Sequence, residues 1–162
     1  MKKRVADLLL AISTAVIFLL PMFLVALLVK LTSKGPILYW SDRVGQCSKI
    51  FKMPKFRTMR VNTPAVATHL MVNVEQHLTS VGSSLRKSSL DELPQLWSII
   101  KGDMSFVGPR PALFNQDDLI RLRTENGIDK LVPGLTGWAQ VNGRDELPIS
   151  VKVGLDIEYK KH

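Results

Sequence analysis

Residues 8–29, LLLAISTAVIFLLPMFLVALLV, form a long apolar stretch near the start of this chain. It holds 22 residues, of which only Ser13, Thr14 and Pro21 are not apolar. A helix rises about 1.5 Å per residue, so about 20 residues cross a hydrocarbon core of about 30 Å. The stretch therefore has the length and composition of a membrane-inserted helix.

Two interpretations of this stretch compete with the one we favour. The basic residues 2–4 resemble the start of a signal peptide, but the apolar run exceeds the usual length of about 7–15 residues and no clear cleavage site follows. A plain spanning helix is a stronger alternative. Basic residues flank both ends, however, with Lys30 and Lys34 on the far side, whereas a spanning helix keeps its positive flank in the cytoplasm.

Pro21 favours a re-entrant helix. Proline lacks a backbone N–H and clashes with the preceding turn, so the helix should bend or break near Pro21. A helix that enters the membrane, breaks and returns to the same face leaves both basic flanks in the cytoplasm. We predict that residues 1–33 form a re-entrant membrane helix and residues 34–162 a cytoplasmic domain lying on the membrane.

The positive charge of the chain lies beside the apolar stretch. The chain carries 22 Lys and Arg against 14 Asp and Glu, a net charge of +8. Residues 30–60 alone carry +7, whereas residues 61–162 carry −1. Each basic residue near an anionic leaflet contributes about 1 kcal/mol to membrane binding. We therefore expect anionic lipids as a partner and no nucleic acid, since no nucleic-acid-binding motif is present.

The composition excludes several other classes of protein. At 162 residues the chain can bury one core but not two full domains. The lone Cys47 excludes an internal disulfide framework, and three scattered histidines supply no zinc cluster. The glycine spacing matches neither a Walker nor a Rossmann fingerprint, and no Ser-His-Asp arrangement can be argued.

A short β-hairpin is predicted after the apolar stretch. Residues 37–40 and 49–53 have the composition of strands, and residues 42–45 supply turn chemistry between them. A helix over residues 65–78 is a weaker prediction.

The second half of the chain is predicted to be mostly helical. Apolar residues recur at helical spacing over 85–100 and stop at Gly102, and a further helix is expected over 112–125, ended by Asn126-Gly127. The glycine-punctuated residues 134–143 favour a binding loop. The predicted fold class is α+β, predominantly helical.

The adjacent carboxylates Asp91 and Glu92 are the strongest candidates for chemistry. A purely structural explanation exists, because Ser89 and Glu92 have the spacing of a capping box. Pro94 disfavours a cap at Ser89, so the helix is expected to start nearer Asp91. Two such carboxylates can bind Mg²⁺ together with substrate phosphates, or one can attack phosphorus.

Three arginines suit a phosphate-bearing substrate. A planar guanidinium grips phosphate oxygens through two parallel hydrogen bonds. Arg86 precedes the carboxylate pair, Arg110 is held between Pro109 and Pro111, and Arg144 follows an Asn-Gly turn. Surface arginines in tight turns are the alternative explanation for the last two.

Taken together, these motifs resemble the bacterial sugar transferase family, the small monotopic phosphoglycosyl transferases that act on polyprenol phosphate. The matching blocks are GPI at 35–37 with DRVG at 42–45, FKMPKFRTM at 51–59, the stretch 85–96, KGDMSFVGPRP at 101–111 and PGLTGWAQVNGR at 133–144. Five ordered blocks and the anchor cover most of the chain, which makes the resemblance specific.

The resemblance implies an enzyme of the bacterial inner membrane that faces the cytoplasm. It would transfer a sugar-1-phosphate from a UDP-sugar to undecaprenyl phosphate and release UMP, as the first membrane step of glycoconjugate or polysaccharide synthesis. Asp91 would be the nucleophile that forms a covalent phosphosugar intermediate, assisted by Glu92 and Mg²⁺. The metal ligands would be Asp91 and Glu92, and the substrate-binding residues Arg57, Arg86, Arg110, Gln140, Arg144 and Asp156.

Two departures from the family pattern bear on these expectations. Leu20 stands where family anchors often carry Ser before the breaking proline, and many members continue beyond the position of His162 with another apolar helix. A minimal and a truncated form of the enzyme both stay open, as do the sugar and the oligomeric state. A membrane-tethered binding or scaffold protein on an inactive transferase fold is the alternative function.

Overall fold

The computed structural model describes residues 2–64, 73–143 and 147–161. About 54% of these residues are helical, and four strands form two separate two-stranded sheets. The α+β, predominantly helical class is therefore confirmed. The elements are α1 (Lys2–Ile17), α2 (Leu19–Thr32), β1 (Leu38–Val44), β2 (Ile50–Phe56), α3 (Val74–His77), α4 (Gly82–Lys87), α5 (Leu96–Lys101), β3 (Ser105–Val107), α6 (Asp117–Glu125), β4 (Gly134–Thr136), α7 (Trp138–Val141) and α8 (Ile149–Lys161), with short 3₁₀ helices at Gln46–Ser48 and Leu90–Gln95.

The apolar stretch forms a bent pair of helices. Helices α1 and α2 meet at Phe18 with a bend of 62°. The break lies three residues before Pro21, because a helix accepts proline in its first turn, where backbone N–H groups have no intrahelical partner. Among the described residues no single helix is long and apolar enough to cross a membrane, whereas this pair together has the length and composition.

One face of the bent pair packs on the rest of the chain. Ala11 of α1 is buried in a cluster with Phe51 and Ile99, and Val25 and Val29 of α2 are buried in a second cluster. The opposite face is exposed and apolar, with side chains that include Leu9, Val16, Ile17, Leu19, Leu20 and Phe23. Helices α1 and α2 thus share hydrophobic clusters with the domain that follows.

Polar contacts fix α1 in the same position. Arg4 donates hydrogen bonds to the carbonyl oxygens of Ile99 and Ile100 at the end of α5, the second at 2.7 Å. The carboxylate of Asp7, which is buried, accepts a hydrogen bond of 3.1 Å from the backbone N–H of Phe106. These contacts orient α1 relative to the strands and loops that build the cavity described below.

The predicted hairpin is present, but its strands are longer and its turn lies elsewhere. β1 and β2 are antiparallel, with Leu38 opposite Phe56 and Val44 opposite Ile50. The prediction that residues 42–45 form the turn is wrong, because residues 42–44 belong to β1. The chain reverses after Gly45 through Cys47 and Ser48, which adopt positive φ angles of 54° and 59°. No glycine or asparagine marks that conformation at these two positions, so the sequence gives no sign of it.

The predicted helix over residues 85–100 is interrupted in the structure. Ser89 adopts a φ of 58° and separates α4 from the 3₁₀ helix Leu90–Gln95. This helix begins one residue before Asp91 and contains Pro94, so the expectation that Pro94 moves the start to Asp91 is wrong by one residue. Within the described chain the Ser89 side chain makes no capping bond, so the capping-box explanation is wrong. Gly102, with a φ of 101°, ends α5 as predicted.

The remaining helices agree with the sequence only in part. α6 ends before Asn126 as predicted, but it begins five residues later than predicted because the Ala112 carbonyl oxygen accepts a hydrogen bond of 2.9 Å from Val44. The predicted loop at 134–143 contains β4, which pairs in parallel with β3, and α7. The predicted helix over 65–78 lies largely outside the described residues, and α3 is the part of it that the structure describes. Helix α8 was not predicted.

Candidate active site

A cavity of about 980 Å³ lies between the β1–β2 hairpin, the 3₁₀ helix Leu90–Gln95, helix α7 and the loop that follows β3. Six of the predicted site residues line it together: Arg57, Arg86, Asp91, Glu92, Arg110 and Gln140. Arg144 lies outside the described residues. Of the described candidates, only Asp156 is absent from the cavity wall, and it acts on the wall indirectly, as shown below.

Glu92 is held by two cations at once. Its Oε1 atom lies 2.8 Å from Lys55 Nζ and 2.6 Å from Arg110 Nη2, while Oε2 makes a longer contact of 3.5 Å with Arg110 Nη1. Burial alone would raise the pKa of Glu92, but Lys55 and Arg110 outweigh burial and lower that pKa to about 2. Glu92 is therefore ionised throughout the physiological pH range.

Asp91 is a more deeply buried carboxylate than Glu92. It lies in the first turn of the 3₁₀ helix and is 6% exposed. Burial raises the pKa of Asp91, and the neighbouring charge of Glu92 raises it further, while Lys55 and Arg86 oppose the shift. Asp91 and Glu92, adjacent in sequence, thus have pKa values displaced in opposite directions, which is typical of groups with separate chemical roles.

Lys55 is a site residue that the sequence analysis missed. Its ammonium group contacts Glu92, and burial lowers the pKa of Lys55 although Glu92 acts in the opposite direction. In β2 it shares the inward-facing side of the strand with Phe51 and Met53, both of which are buried. A lysine on the buried face of a strand is rare unless it is paired, so the two-residue periodicity could have identified it.

Arg86 and Arg57 have different positions on the cavity wall. Arg86 Nε donates a hydrogen bond of 3.1 Å to Thr58 Oγ1, and its charge acts on Asp91. Arg57 is 5% exposed and donates to the carbonyl oxygens of Ser33 and Pro36 at 3.0 and 2.6 Å. These bonds tie Arg57 to the segment that follows α2, which gives it a role in holding the wall in place.

Gln140 and the loop around Arg110 meet on the opposite wall. Gln140 Nε2 donates a hydrogen bond of 3.3 Å to the Leu135 carbonyl oxygen. A Cβ atom at Gly137 would lie 2.1 Å from the carbonyl oxygen of Gly108, so only glycine permits this close approach of the two backbones. The approach places the Arg110 loop against β4 and α7.

Asp156 reaches this loop through Arg123, which the sequence analysis also missed. The two side chains form a buried ion pair of 2.7 Å between α6 and α8. Arg123 also donates a hydrogen bond of 2.7 Å to the backbone carbonyl oxygen of Arg110 and lines the cavity. Asp156 is thus placed behind the wall of the cavity, one residue removed from it.

The carboxylates fit a magnesium site that substrate would complete. Within residues 2–64, 73–143 and 147–161, no group of three or more His, Cys, Asp and Glu side chains is arranged to hold a metal ion. Mg²⁺ commonly binds one or two carboxylates together with substrate phosphates and waters. Asp91 and Glu92 match that donor set, and Glu92 Oε2 is the oxygen less engaged by the cations.

The site combines an anionic pair with a ring of cations, which is an arrangement suited to phosphoryl transfer. Comparison with known proteins agrees with that class. The profile of the family described as "Bacterial sugar transferase" matches residues 1–162, and the chain belongs to this family.

Two relatives illustrate the similarity. The chain is 39% identical to the exopolysaccharide production protein ExoY of Sinorhizobium fredii, over 97% of this chain and 76% of the relative. It is 40% identical to the UDP-glucose:undecaprenyl-phosphate glucose-1-phosphate transferase of Escherichia coli, over 97% of this chain but only 35% of that protein. The similarity to the second protein thus concerns about a third of its length.

Proposed function

We propose that this protein transfers a sugar-1-phosphate from a UDP-sugar to undecaprenyl phosphate through a covalent intermediate on Asp91. The observation that carries the proposal is the buried Asp91 carboxylate beside Glu92, Lys55 and Arg86 in one cavity. The names of the relatives support undecaprenyl phosphate as the acceptor and sugar nucleotides as donors.

In the first half-reaction, an Asp91 carboxylate oxygen attacks the phosphorus atom that bears the sugar. The bond from this phosphorus to the oxygen bridging the two phosphates breaks, and UMP leaves with that oxygen. Burial removes water from the Asp91 carboxylate and so increases its reactivity, while Arg86 and Arg110 stabilise negative charge on the phosphate oxygens. The product is an acyl phosphate that joins Asp91 to the sugar-1-phosphate.

In the second half-reaction, a phosphate oxygen of undecaprenyl phosphate attacks the same phosphorus atom. The bond from Asp91 to phosphorus breaks, which regenerates the carboxylate and yields a lipid diphosphate sugar. Access from a membrane is supported by Leu38, which lines the cavity and also packs on the cluster that contains Val25 and Val29 of α2. The wall of the cavity is therefore continuous with the bent helix pair.

Mg²⁺ is part of the proposal. Asp91 and Glu92 would hold it together with the substrate diphosphate, and it would neutralise negative charge on the phosphates. Lys55 and Arg110 keep Glu92 ionised and in place for that task. We propose an inner-membrane location with the cavity on the cytoplasmic side, where exposed basic residues such as Lys30, Lys34 and Lys49 would meet anionic lipids.

A transfer assay tests this function and separates it from a scaffold on an inactive fold. The protein in detergent micelles is incubated with undecaprenyl phosphate, Mg²⁺ and each of UDP-glucose, UDP-galactose and UDP-N-acetylgalactosamine, labelled in the sugar. With at least one of the sugars we expect labelled lipid and one UMP released for each sugar-1-phosphate transferred. The Asp91→Asn variant should form neither labelled lipid nor UMP. The proposal would be contradicted if none of the three UDP-sugars gave labelled lipid, or if labelled lipid still formed with Asp91→Asn.

A further inference from the structure

The ion pair between Arg123 and Asp156 is buried more completely than the other ion pairs among the described residues. Arg123 Nε and Nη2 both donate to Asp156 Oδ2, at 2.9 and 2.7 Å, and the two side chains are 9% and 2% exposed. Arg121 on the same helix is 63% exposed, and its contacts with Asp118 and Glu125 are 3.6 Å long. A buried charge must be held by specific contacts, and Arg123 has a hydrogen-bond partner besides Asp156.

The third donor of Arg123 reaches the loop that carries Arg110. Arg123 Nη1 donates to the Arg110 carbonyl oxygen at 2.7 Å, from the part of the guanidinium group that does not face Asp156. The neighbouring carbonyl oxygens are also held: that of Pro109 accepts from Gly134 N at 2.9 Å and that of Pro111 from Arg43 Nη1 at 3.1 Å. Three consecutive carbonyl oxygens are therefore fixed by three different elements.

Fixing this backbone sets the point from which the Arg110 side chain extends. The prolines on either side restrict the backbone angles, and the three hydrogen bonds fix the position of the loop. From that position Arg110 Nη2 reaches Glu92 Oε1 at 2.6 Å. A continuous set of contacts thus joins Asp156, Arg123, Arg110 and Glu92.

We propose that Arg123 and Asp156 are positioning residues for Arg110, and that Asp156 serves the reaction through this relay rather than by binding substrate. The inference rests on the proposed function, in which Arg110 stabilises charge at the reacting phosphate. Asp156 orients the Arg123 guanidinium, and Arg123 holds the Arg110 backbone. The guanidinium of Arg123 presents different nitrogen atoms to the Asp156 carboxylate and to the Arg110 carbonyl oxygen, whereas lysine has a single nitrogen, so we expect Arg123→Lys to lose one of the two contacts.

A double-mutant cycle tests the relay in the full chain. Arg123→Lys keeps the charge beside Asp156 but removes the bond to the Arg110 carbonyl oxygen. We expect Arg123→Lys and Arg110→Lys each to lower kcat/KM for the UDP-sugar about tenfold or more, through the same kinetic constant. Because both changes disable one group, the double variant should lose no more than about twofold beyond Arg110→Lys alone. The matched control Arg121→Lys, on the same helix, should retain wild-type kinetics.

Thermal unfolding of every variant separates positioning from stability. A purely structural role would lower the unfolding midpoint and the amount of active enzyme, and its effect would multiply with that of Arg110→Lys. Multiplicative losses, or wild-type kinetics in Arg123→Lys, would overturn the relay. If Arg123→Lys does not fold, Asp156→Asn takes its place in the same cycle, and failure of both to fold would assign the pair to stability and overturn the proposal. Absence of transfer by the wild-type chain would instead contradict the proposed function itself.

Discussion

Substitution of Glu92 by glutamine gives a stability change that depends on pH in a defined way. Glu92 is the shared acceptor of Lys55 and Arg110, both of which contact its Oε1 atom within 3 Å. Glutamine keeps the shape of the side chain and one oxygen acceptor but removes the negative charge. Lys55 and Arg110 then lose the negative charge that both of them contact.

The pKa of Glu92 sets the magnitude of the loss. Its value falls from 4.5 to about 2 in the folded protein. At about 1.4 kcal/mol per pKa unit, the ionised carboxylate stabilises the fold by about 3 kcal/mol at pH 7. Because the folded-state pKa is the lower one, this stabilisation is complete above about pH 5 and disappears as the pH falls through about 2, so about 1 kcal/mol remains at pH 3.

Denaturant unfolding of wild type and Glu92→Gln in detergent micelles, with EDTA to exclude divalent cations, measures this difference. We expect the variant to lose about 3 kcal/mol of unfolding free energy at pH 7 and about 1 kcal/mol at pH 3. Glu125→Gln is the matched control, because Glu125 is 55% exposed and its contact with Arg121 is 3.6 Å long, and its loss should be below about 1 kcal/mol. A Glu92→Gln loss that is equal at both pH values would show that the ionised carboxylate of Glu92 is not the source of the stabilisation.

Three further predictions follow from the same contacts. Burial raises the pKa of Asp91, so the rate of UMP formation should fall at a pH above the usual aspartate pKa of about 3.9. A rate that stays constant down to pH 4 would contradict this prediction. In a Cys47→Ser background, cysteines introduced as Lys2→Cys and Lys34→Cys should react with an impermeant reagent from the same side of the membrane; reaction from opposite sides would indicate a spanning helix. Arg57→Lys should lower the unfolding free energy by about 1–3 kcal/mol, because lysine cannot replace the bonds to the segment after α2, and an unchanged denaturation curve would contradict this.

Features encoded by neighbouring residues were predictable from the sequence. The end of α5 at Gly102 and the end of α6 before Asn126 follow from local helix-stop signals. The hairpin follows from strand composition, and the bend in the apolar stretch follows from Pro21, although proline was accommodated in the first turn of α2 and the break therefore moved to Phe18.

Features that depend on distant residues were not predictable in this way. Lys55 and Glu92 are 37 residues apart, and Arg123 and Asp156 are 33 apart, so no short motif contains either pair. The same dependence explains why α8 was missed. Its buried face contains Asp156 next to apolar residues such as Val153, and the charged side chain interrupts the apolar periodicity that predicts a helix. The interruption is explained by a partner on another helix.

A single-turnover experiment with a UDP-sugar that carries ³²P in the phosphate attached to the sugar tests whether Asp91 forms the covalent intermediate. The protein is mixed with the labelled donor and Mg²⁺ without undecaprenyl phosphate, quenched in acid and digested. The covalent mechanism predicts release of one UMP per enzyme and label on the peptide that contains Asp91, with neither in Asp91→Asn or Asp91→Ala. UMP release that requires undecaprenyl phosphate, with no label on the protein, would contradict the claim.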